Sequence, residues 1–200
     1  MALVVGIAGA SCAGKTTLSK RLQAELHGDV RLLHLDDFYF EEVIDWEIPE
    51  SLDFDRLVAK IDSIKTAHRD QRDVPLTIIV EGFLLFSNAE LWRRFDAVFF
   101  LLAEEKSCRQ RRIARDRWVA LHPDYFDNSI WPQYLLQNRA ILERVSLESR
   151  DGVCLPFTFS VGNGPLVPVH VFPSTDPLDA IFEATKKSIV DHLGRLSQPS

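Results

Sequence analysis

The chain alternates short, wholly apolar runs with longer segments in which apolar residues return every three or four positions. Residues 3–8, Leu-Val-Val-Gly-Ile-Ala, form the first run and suit a strand buried on both faces of a parallel sheet. Leu18, Leu22 and Leu26 follow at helical spacing, with Gly28 as the stop, and residues 30–35 read as a second strand. Asp53 is placed to cap a helix whose Leu57, Val58, Ile61 and Ile64 make one stripe, fading into a charged linker over 68–73. Residues 76–80 predict a central strand, Asn88 caps a short helix through Trp92, and 97–102 predict a fourth strand.

Further on, Pro132 suits the first turn of a helix carrying Leu135, Leu136, Ile141, Leu142 and Val145 inward. Asp151-Gly152 marks a turn, and 157–161 and 166–172 are strand-like around the loop 162–165. Thr175-Asp176-Pro177 starts a last helix with Ile181, Ala184 and Ile189 on its inner face, and residues 197–200 are expected to fray. Strand alternating with helix in this way predicts an α/β fold on a parallel sheet.

Residues 9–16, Gly-Ala-Ser-Cys-Ala-Gly-Lys-Thr, match the phosphate-loop pattern G-x-x-x-x-G-K-[ST] in full, between a predicted strand and a predicted helix. The residue types follow from the task. Backbone N–H groups of a curled loop cradle a phosphate, Lys15 reaches the β and γ oxygens, and the Thr16 hydroxyl can ligate Mg²⁺. Further candidate chemistry falls at the ends of later strands, the edge where open parallel sheets bind ligands. Asp36-Asp37-Phe38-Tyr39 follows the second strand. If the backbone stays extended there, the two carboxylates point opposite ways and one faces the phosphates, although an Asp pair also caps turns. Glu81 ends the third strand, where an acid toward the metal is expected.

Two stretches allow two readings each. Trp46 beside Glu47, in an acidic segment without periodicity, either plugs the end of the core or offers a ring face and a carboxylate to a heterocycle and its ribose. Arg109, Arg111, Arg112, Arg115 and Arg117 crowd one predicted helix, with Arg111 and Arg115 on a common face. They form either a solvated basic face or an arginine-bearing lid whose mutual repulsion a triphosphate relieves. Tyr125, Phe126, Trp131 and Tyr134 read mostly as packing at the hinge of that lid.

Composition narrows the class further. At 200 residues the chain suits one domain. A formal net charge of −6 argues against a nucleic-acid polyanion as partner. Three cysteines, Cys12, Cys108 and Cys154, have no metal-ligand spacing and fit a reducing compartment. The apolar start lacks a basic leader region and runs into the phosphate loop, and no stretch approaches the ~20 apolar residues of a membrane span. The expectation is a cytoplasmic protein, with no membrane partner, as a monomer or weak homodimer.

The phosphate loop, Asp36-Asp37-Phe38-Tyr39, the run Glu81-Gly82-Phe83-Leu84-Leu85-Phe86 and the arginine-rich segment together resemble the uridine kinase and pantothenate kinase group of small-molecule kinases. Within it, residues 45–53 and the stretch from Tyr125-Phe126-Asp127 to Trp131-Pro132-Gln133-Tyr134 look like those of the nicotinamide riboside kinases. The resemblance covers about residues 1–150 and, more loosely, the last strand and helix.

It implies a single phosphate-loop kinase domain over 1–200: a three-layer fold with a five-stranded parallel sheet flanked by helices, and a lid over roughly 109–130. The implied reaction moves the γ-phosphoryl of ATP, with Mg²⁺, to the ribose 5'-hydroxyl of nicotinamide riboside. By matching position, Asp36 is the base, Thr16 and Glu81 hold or orient the metal, and Lys15 bridges the phosphates. Gly9, Ala13, Gly14, Lys15, Thr16, Thr17, Arg111 and Arg115 meet the nucleotide, while Trp46 stacks on the pyridine ring and Glu47 with Arg112 holds the ribose. One departure stands out: Arg117 occupies the place of the family's second stacking aromatic, with Trp118 beside it. A uridine or cytidine kinase, and a nucleotide switch without a small acceptor, are the competing readings.

Overall fold

The computed structural model describes residues 2–43, 45–71, 73–150 and 153–196. In chain order its elements begin β1 (Ala2–Gly9), α1 (Lys15–Glu25) and β2 (Asp29–His34), which runs into a single 3₁₀ turn, Leu35–Phe38. Next come α2 (Phe54–Ala67), β3 (Leu76–Gly82), α3 (Ala89–Trp92), β4 (Ala97–Leu102), α4 (Glu105–Arg115) and α5 (Arg117–Leu121). A π-helical turn, Phe126–Ile130, leads to α6 (Trp131–Gln137) and α7 (Arg139–Glu148). The short pair β5 (Ser149–Arg150) and β6 (Val153–Cys154) precedes β7 (Phe157–Phe159), β8 (Val167–Pro173) and α8 (Leu178–Leu196). The predicted turn at Asp151-Gly152 and the frayed end at 197–200 lie outside the described residues.

The main sheet has the order β2-β3-β1-β4-β8-β7. Its first five strands are parallel, as expected, and β7 adds an antiparallel edge because the chain doubles back onto β8, pairing Phe157 with Val169. Every residue of β3 is buried, and so is all of β1 after Ala2, the signature of strands covered by helices on both faces. The connection after β1 runs toward β2 and the connection after the neighbouring β3 runs the other way, to β4, so a crevice opens at the carboxyl ends of these central strands.

The caps confirm the helix starts. Asp53 accepts from the Arg56 N–H at 2.9 Å, and Asn88 accepts from the Leu91 N–H at 2.8 Å. Four expectations are corrected. Leu35 is in the turn after β2, not in the strand, because its side chain fills the space beside Gly82, where a Cβ would lie 2.6 Å from it. His68, placed at the start of the charged linker, is instead buried, with Nδ1 3.2 Å from Asp29 Oδ2 and Nε2 2.7 Å from the Val74 carbonyl. Leu135 and Leu136 are exposed: the helix after Pro132 breaks at Asn138, and Tyr134 is buried in the first piece while Ile141 and Val145 are buried in the second, as expected. In α8 Ala184 faces outward, and Phe182 and Thr185 join Ile181 and Ile189 inside. No helix among the described residues is long and apolar enough to cross a membrane.

Gly28 makes the tightest backbone approach between α1 and β2. Its φ is +103°, and an added Cβ would stand 2.4 Å from the Pro75 carbonyl oxygen, a backbone atom that cannot swing away. Gly28→Ala is therefore expected to cost about 2 kcal/mol or more, read as a lower midpoint in urea unfolding with an unchanged slope.

Candidate functional site

The loop between β1 and α1 curls through two left-handed residues, Cys12 (φ +63°) and Gly14 (φ +104°), a backbone shape that turns successive N–H groups inward. Lys15 opens α1 and is buried, with Nζ 2.9 Å from the Ala10 carbonyl. Burial pushes its ammonium below the ordinary lysine range, while the carboxylates of Glu81 and Asp36 pull it back up. Gly9 and Ala13 are not part of the cavity wall. Gly9 packs against Leu101, and the Ala13 N–H closes a turn onto the Ala10 carbonyl at 3.2 Å.

A cavity of about 430 Å³ opens over this loop. Gly14, Lys15, Thr16 and Thr17 form its floor, Asp36 and Glu81 stand on one side, and Arg111, Arg112 and Arg115 line it from α4. The carboxylates arrive there because β2 and β3 run parallel to β1 and end at the same edge. Asp36 sits in the 3₁₀ turn rather than on extended chain, and of the adjacent pair it alone lines the cavity. The Asp37 carbonyl instead accepts from Arg56 Nη2 at 2.6 Å. Asp36 keeps surface exposed through the cavity mouth, yet the enclosing protein raises its carboxyl above the usual range, against the pull of Lys15.

Thr16 and Glu81 are joined directly: the Thr16 hydroxyl donates to Glu81 Oε1 at 2.8 Å. His34 Nδ1 lies 2.7 Å from the same oxygen. Thr16 and Glu81 offer hard oxygen donors, few in number and beside the phosphate cradle, which suits Mg²⁺, an ion that keeps several waters and is shared with phosphates. Among the described residues no group of three or more His, Cys, Asp or Glu is placed to hold a metal ion.

The arginines divide. Arg111 Nη1 reaches the Cys12 carbonyl at 3.3 Å, and Arg112 donates to Ser11 Oγ at 3.2 Å and pairs with Asp116 Oδ2 at 3.1 Å. The Arg112 Nε is buried without a hydrogen-bond partner, a donor left over. Arg109 is committed elsewhere, in a two-bond pair with Asp127 (2.7 and 2.9 Å) that ties α4 to the π-helical turn, and Arg117 lines neither cavity.

A second cavity of about 540 Å³ adjoins the first, and Trp46, Glu47 and Arg112 belong to both walls. Trp46 does not plug the core. Its indole is 56% exposed, its carbonyl accepts from the Tyr39 hydroxyl, and its ring meets Tyr39 edge-on at 4.7 Å. Glu47 is 7% exposed, and burial lifts its carboxyl from an ordinary 4.5 to about 7, with Arg112 opposing. On the far wall stands Trp118, not Arg117. It stacks on His122 at 4.5 Å and meets Tyr125 edge-on at 5.0 Å, and Tyr125 itself lines the cavity. Phe126 and Tyr134 are buried packing, as expected.

Sequence reasoning missed Ser11, Asp45, Asp116 and His34. Asp45 and Asp116 are neighbours of assigned residues, whereas His34 carried no signal beyond ending a predicted strand.

The match to known proteins agrees with this geometry. Residues 5–121 match the AAA domain family. A nicotinamide riboside kinase of Schizosaccharomyces pombe (strain 972 / ATCC 24843) is 28% identical over 179 residues, covering 66% of this chain and 77% of its own. Nicotinamide riboside kinase 1 of Homo sapiens is 29% identical over 150 residues (66% and 74%), and nicotinamide riboside kinase 2 of Mus musculus is 29% identical over 177 (78% and 90%). Among solved structures, an unliganded sugar kinase from Janibacter sp. HTCC2649 shares the fold, with a TM-score of 0.51 at 19% identity over 96% of this chain and 98% of that one. The family match takes in the phosphate loop, both acidic strand ends and the arginine helix, more than half of the chain, and the protein belongs to the AAA domain family.

Proposed function

We propose that the protein transfers the γ-phosphoryl group of ATP to the 5'-hydroxyl of nicotinamide riboside, giving nicotinamide mononucleotide and ADP. The carrying observation is that the phosphate cavity and the aromatic, acidic cavity adjoin and share Trp46, Glu47 and Arg112 in their walls, with Asp36 in the wall of the first. A nucleoside spanning the junction would place its ring between the two indoles and its primary alcohol toward Asp36. The relatives named nicotinamide riboside kinase support the same reading.

Phosphoryl transfer asks a protein for alignment and charge compensation more than for covalent chemistry. Lys15 and the guanidinium groups of Arg111 and Arg115 would meet the charge on the phosphates. Asp36 accepts the proton of the 5'-hydroxyl as that oxygen bonds to the γ-phosphorus and the bond to the β,γ-bridging oxygen breaks, releasing ADP. Mg²⁺, held by Thr16 and Glu81, would supply further charge neutralisation at the β and γ oxygens. On the ribose, the unpaired Arg112 Nε donates and the Glu47 carboxylate accepts. The helix bearing Arg111 and Arg112 already touches the loop at Cys12 and Ser11, a fitting start for a lid closing over the phosphates.

The ring cavity also favours this acceptor over a pyrimidine nucleoside. Asp45, Glu47 and Asp116 wall it, against one guanidinium already paired with Asp116. A pyridinium cation gains from those acids and from an indole face, the latter by about 0.5–2 kcal/mol, whereas neutral uracil does not. Side-by-side steady-state assays with nicotinamide riboside and uridine test this. Equal kcat/KM for both would overturn the assignment.

Asp36→Ala is expected to lower kcat by about 10²- to 10⁴-fold while leaving ATP affinity within a few-fold, checked by turnover and by titration with a non-hydrolysable ATP analogue. Trp46→Ala should raise KM for nicotinamide riboside by about 2- to 30-fold with little change in KM for ATP, and equal effects on both would reduce Trp46 to packing.

Glu47 gives a pH signature. Its carboxyl is ionised above about 7 and then attracts the cation and accepts from the ribose. The kcat/KM for nicotinamide riboside should therefore fall as pH drops below 7, by up to about tenfold per pH unit, and Glu47→Gln should give a low, flat profile. The stability effect runs the other way. A carboxyl raised from 4.5 to about 7 stabilises the fold when protonated and loses that contribution as pH rises through 7, roughly 3 kcal/mol at about 1.4 kcal/mol per pH unit. Without ligand, Glu47→Gln should melt above the unmodified protein at pH 8 and close to it at pH 5.

A further inference from the structure

Glu81 receives both of its hydrogen bonds on one oxygen: the Thr16 hydroxyl at 2.8 Å and His34 Nδ1 at 2.7 Å both meet Oε1, and neither engages Oε2. The two donors differ in what nucleotide binding asks of them. Thr16 opens the helix after the phosphate loop, and its hydroxyl would have to serve a metal and Glu81 at once, its oxygen on the ion and its proton on the carboxylate. His34 has no such second duty. It is the last residue of β2, lies directly opposite Glu81 in the parallel register, and its side chain is 29% exposed. A carboxylate can only accept, so His34 Nδ1 is the donor of this bond.

We propose that His34 is a positioning residue for the divalent cation of the phosphate site: its Nδ1–H keeps Glu81 Oε1 anchored while Thr16 answers to the metal as well, with Oε2 free for the ion or its waters. The same strand end begins the turn that carries Asp36, so one imidazole ties the element bearing the base to the strand bearing the metal-side acid. The inference rests on the metal-assisted phosphoryl transfer proposed above but not on which nucleoside accepts the phosphate.

The test uses His34→Leu, which keeps bulk and removes the donor, and His34→Asn, whose Nδ2 stands close to the place of Nδ1. Isothermal titration calorimetry of the whole protein with a non-hydrolysable ATP analogue, across a series of Mg²⁺ concentrations, reads the ion's contribution without any acceptor. Loss of an outer partner of a metal ligand lowers metal affinity about 10- to 100-fold. His34→Leu is expected to raise the Mg²⁺ requirement by at least about tenfold while analogue binding without Mg²⁺ stays unchanged, and His34→Asn should recover most of it. In turnover the half-maximal Mg²⁺ concentration should rise in parallel, with KM for the nucleoside unmoved. If His34→Leu does not fold, His34→Gln, whose donor is displaced by one carbon, takes its place with the same expectation. A wild-type Mg²⁺ requirement in the donor-less variant overturns the proposal, as does an Asn variant as impaired as the Leu variant with both melting early. Failure of the unsubstituted protein to phosphorylate nicotinamide riboside would sink the acceptor assignment and leave this result standing.

Discussion

The hydrogen bond from Thr16 to Glu81 joins the two parts of the chain on which everything at the cleft depends. It exists because β1 and β3 are neighbours in parallel register, Ile7 opposite Glu81 and Ala8 opposite Gly82, so the phosphate loop and the acid leave the sheet at the same level. A one-residue slip would send Glu81 to the opposite face of the sheet, since side chains alternate along a strand. The buried apolar side chains of β1 and β3 are what forbid that slip: moving either strand by one place changes which of them meet α1 and which meet the helices on the other side.

Around that bond the protein gathers charge that it can only partly neutralise by itself. Lys15 is buried among carbonyls and two carboxylates, and burial lowers its affinity for a proton. Asp36 and Glu47 are raised by the same enclosure, each against the pull of a nearby cation. Arg112 retains an unpaired buried N–H. Groups like these cost stability in the empty protein, and a ligand bearing complementary charge and hydroxyls offsets the cost on binding. The contrast with Arg109 and Asp127 is instructive: that pair satisfies itself in two hydrogen bonds and lies outside both cavities.

The aromatic cavity depends on a different constraint. Trp46 is held by its backbone, through Tyr39, so its indole can remain exposed without wandering. Trp118 from α5 and Tyr125 just before the π-helical turn meet edge to face, joining the two elements in the cavity wall. The extra residue per turn of the π geometry is commonly found at functional sites, and here Ser129 within it and Tyr125 just before it both line the cavity.

The phosphate loop, the parallel α/β class, Asp36, Glu81 and the arginine segment were legible in the sequence because each rests on local information: a fixed spacing, a run of apolar residues, or a residue at the end of such a run. The caps at Asp53 and Asn88 belong to the same kind. What failed depended on partners distant in the chain. Leu35 read as strand until Gly82, 47 positions on, offered its side chain a place, and His68 read as linker until Asp29 took it up. Leu135 and Leu136 fit a helical stripe, but the break at Asn138 turned that stripe away from the core. That Trp46 and Trp118 would line one cavity, and that His34 would stand against Glu81, were decided only when separate strands and helices were brought side by side. Spacing along a chain specifies what a segment can do alone, and packing specifies which surfaces of different segments meet.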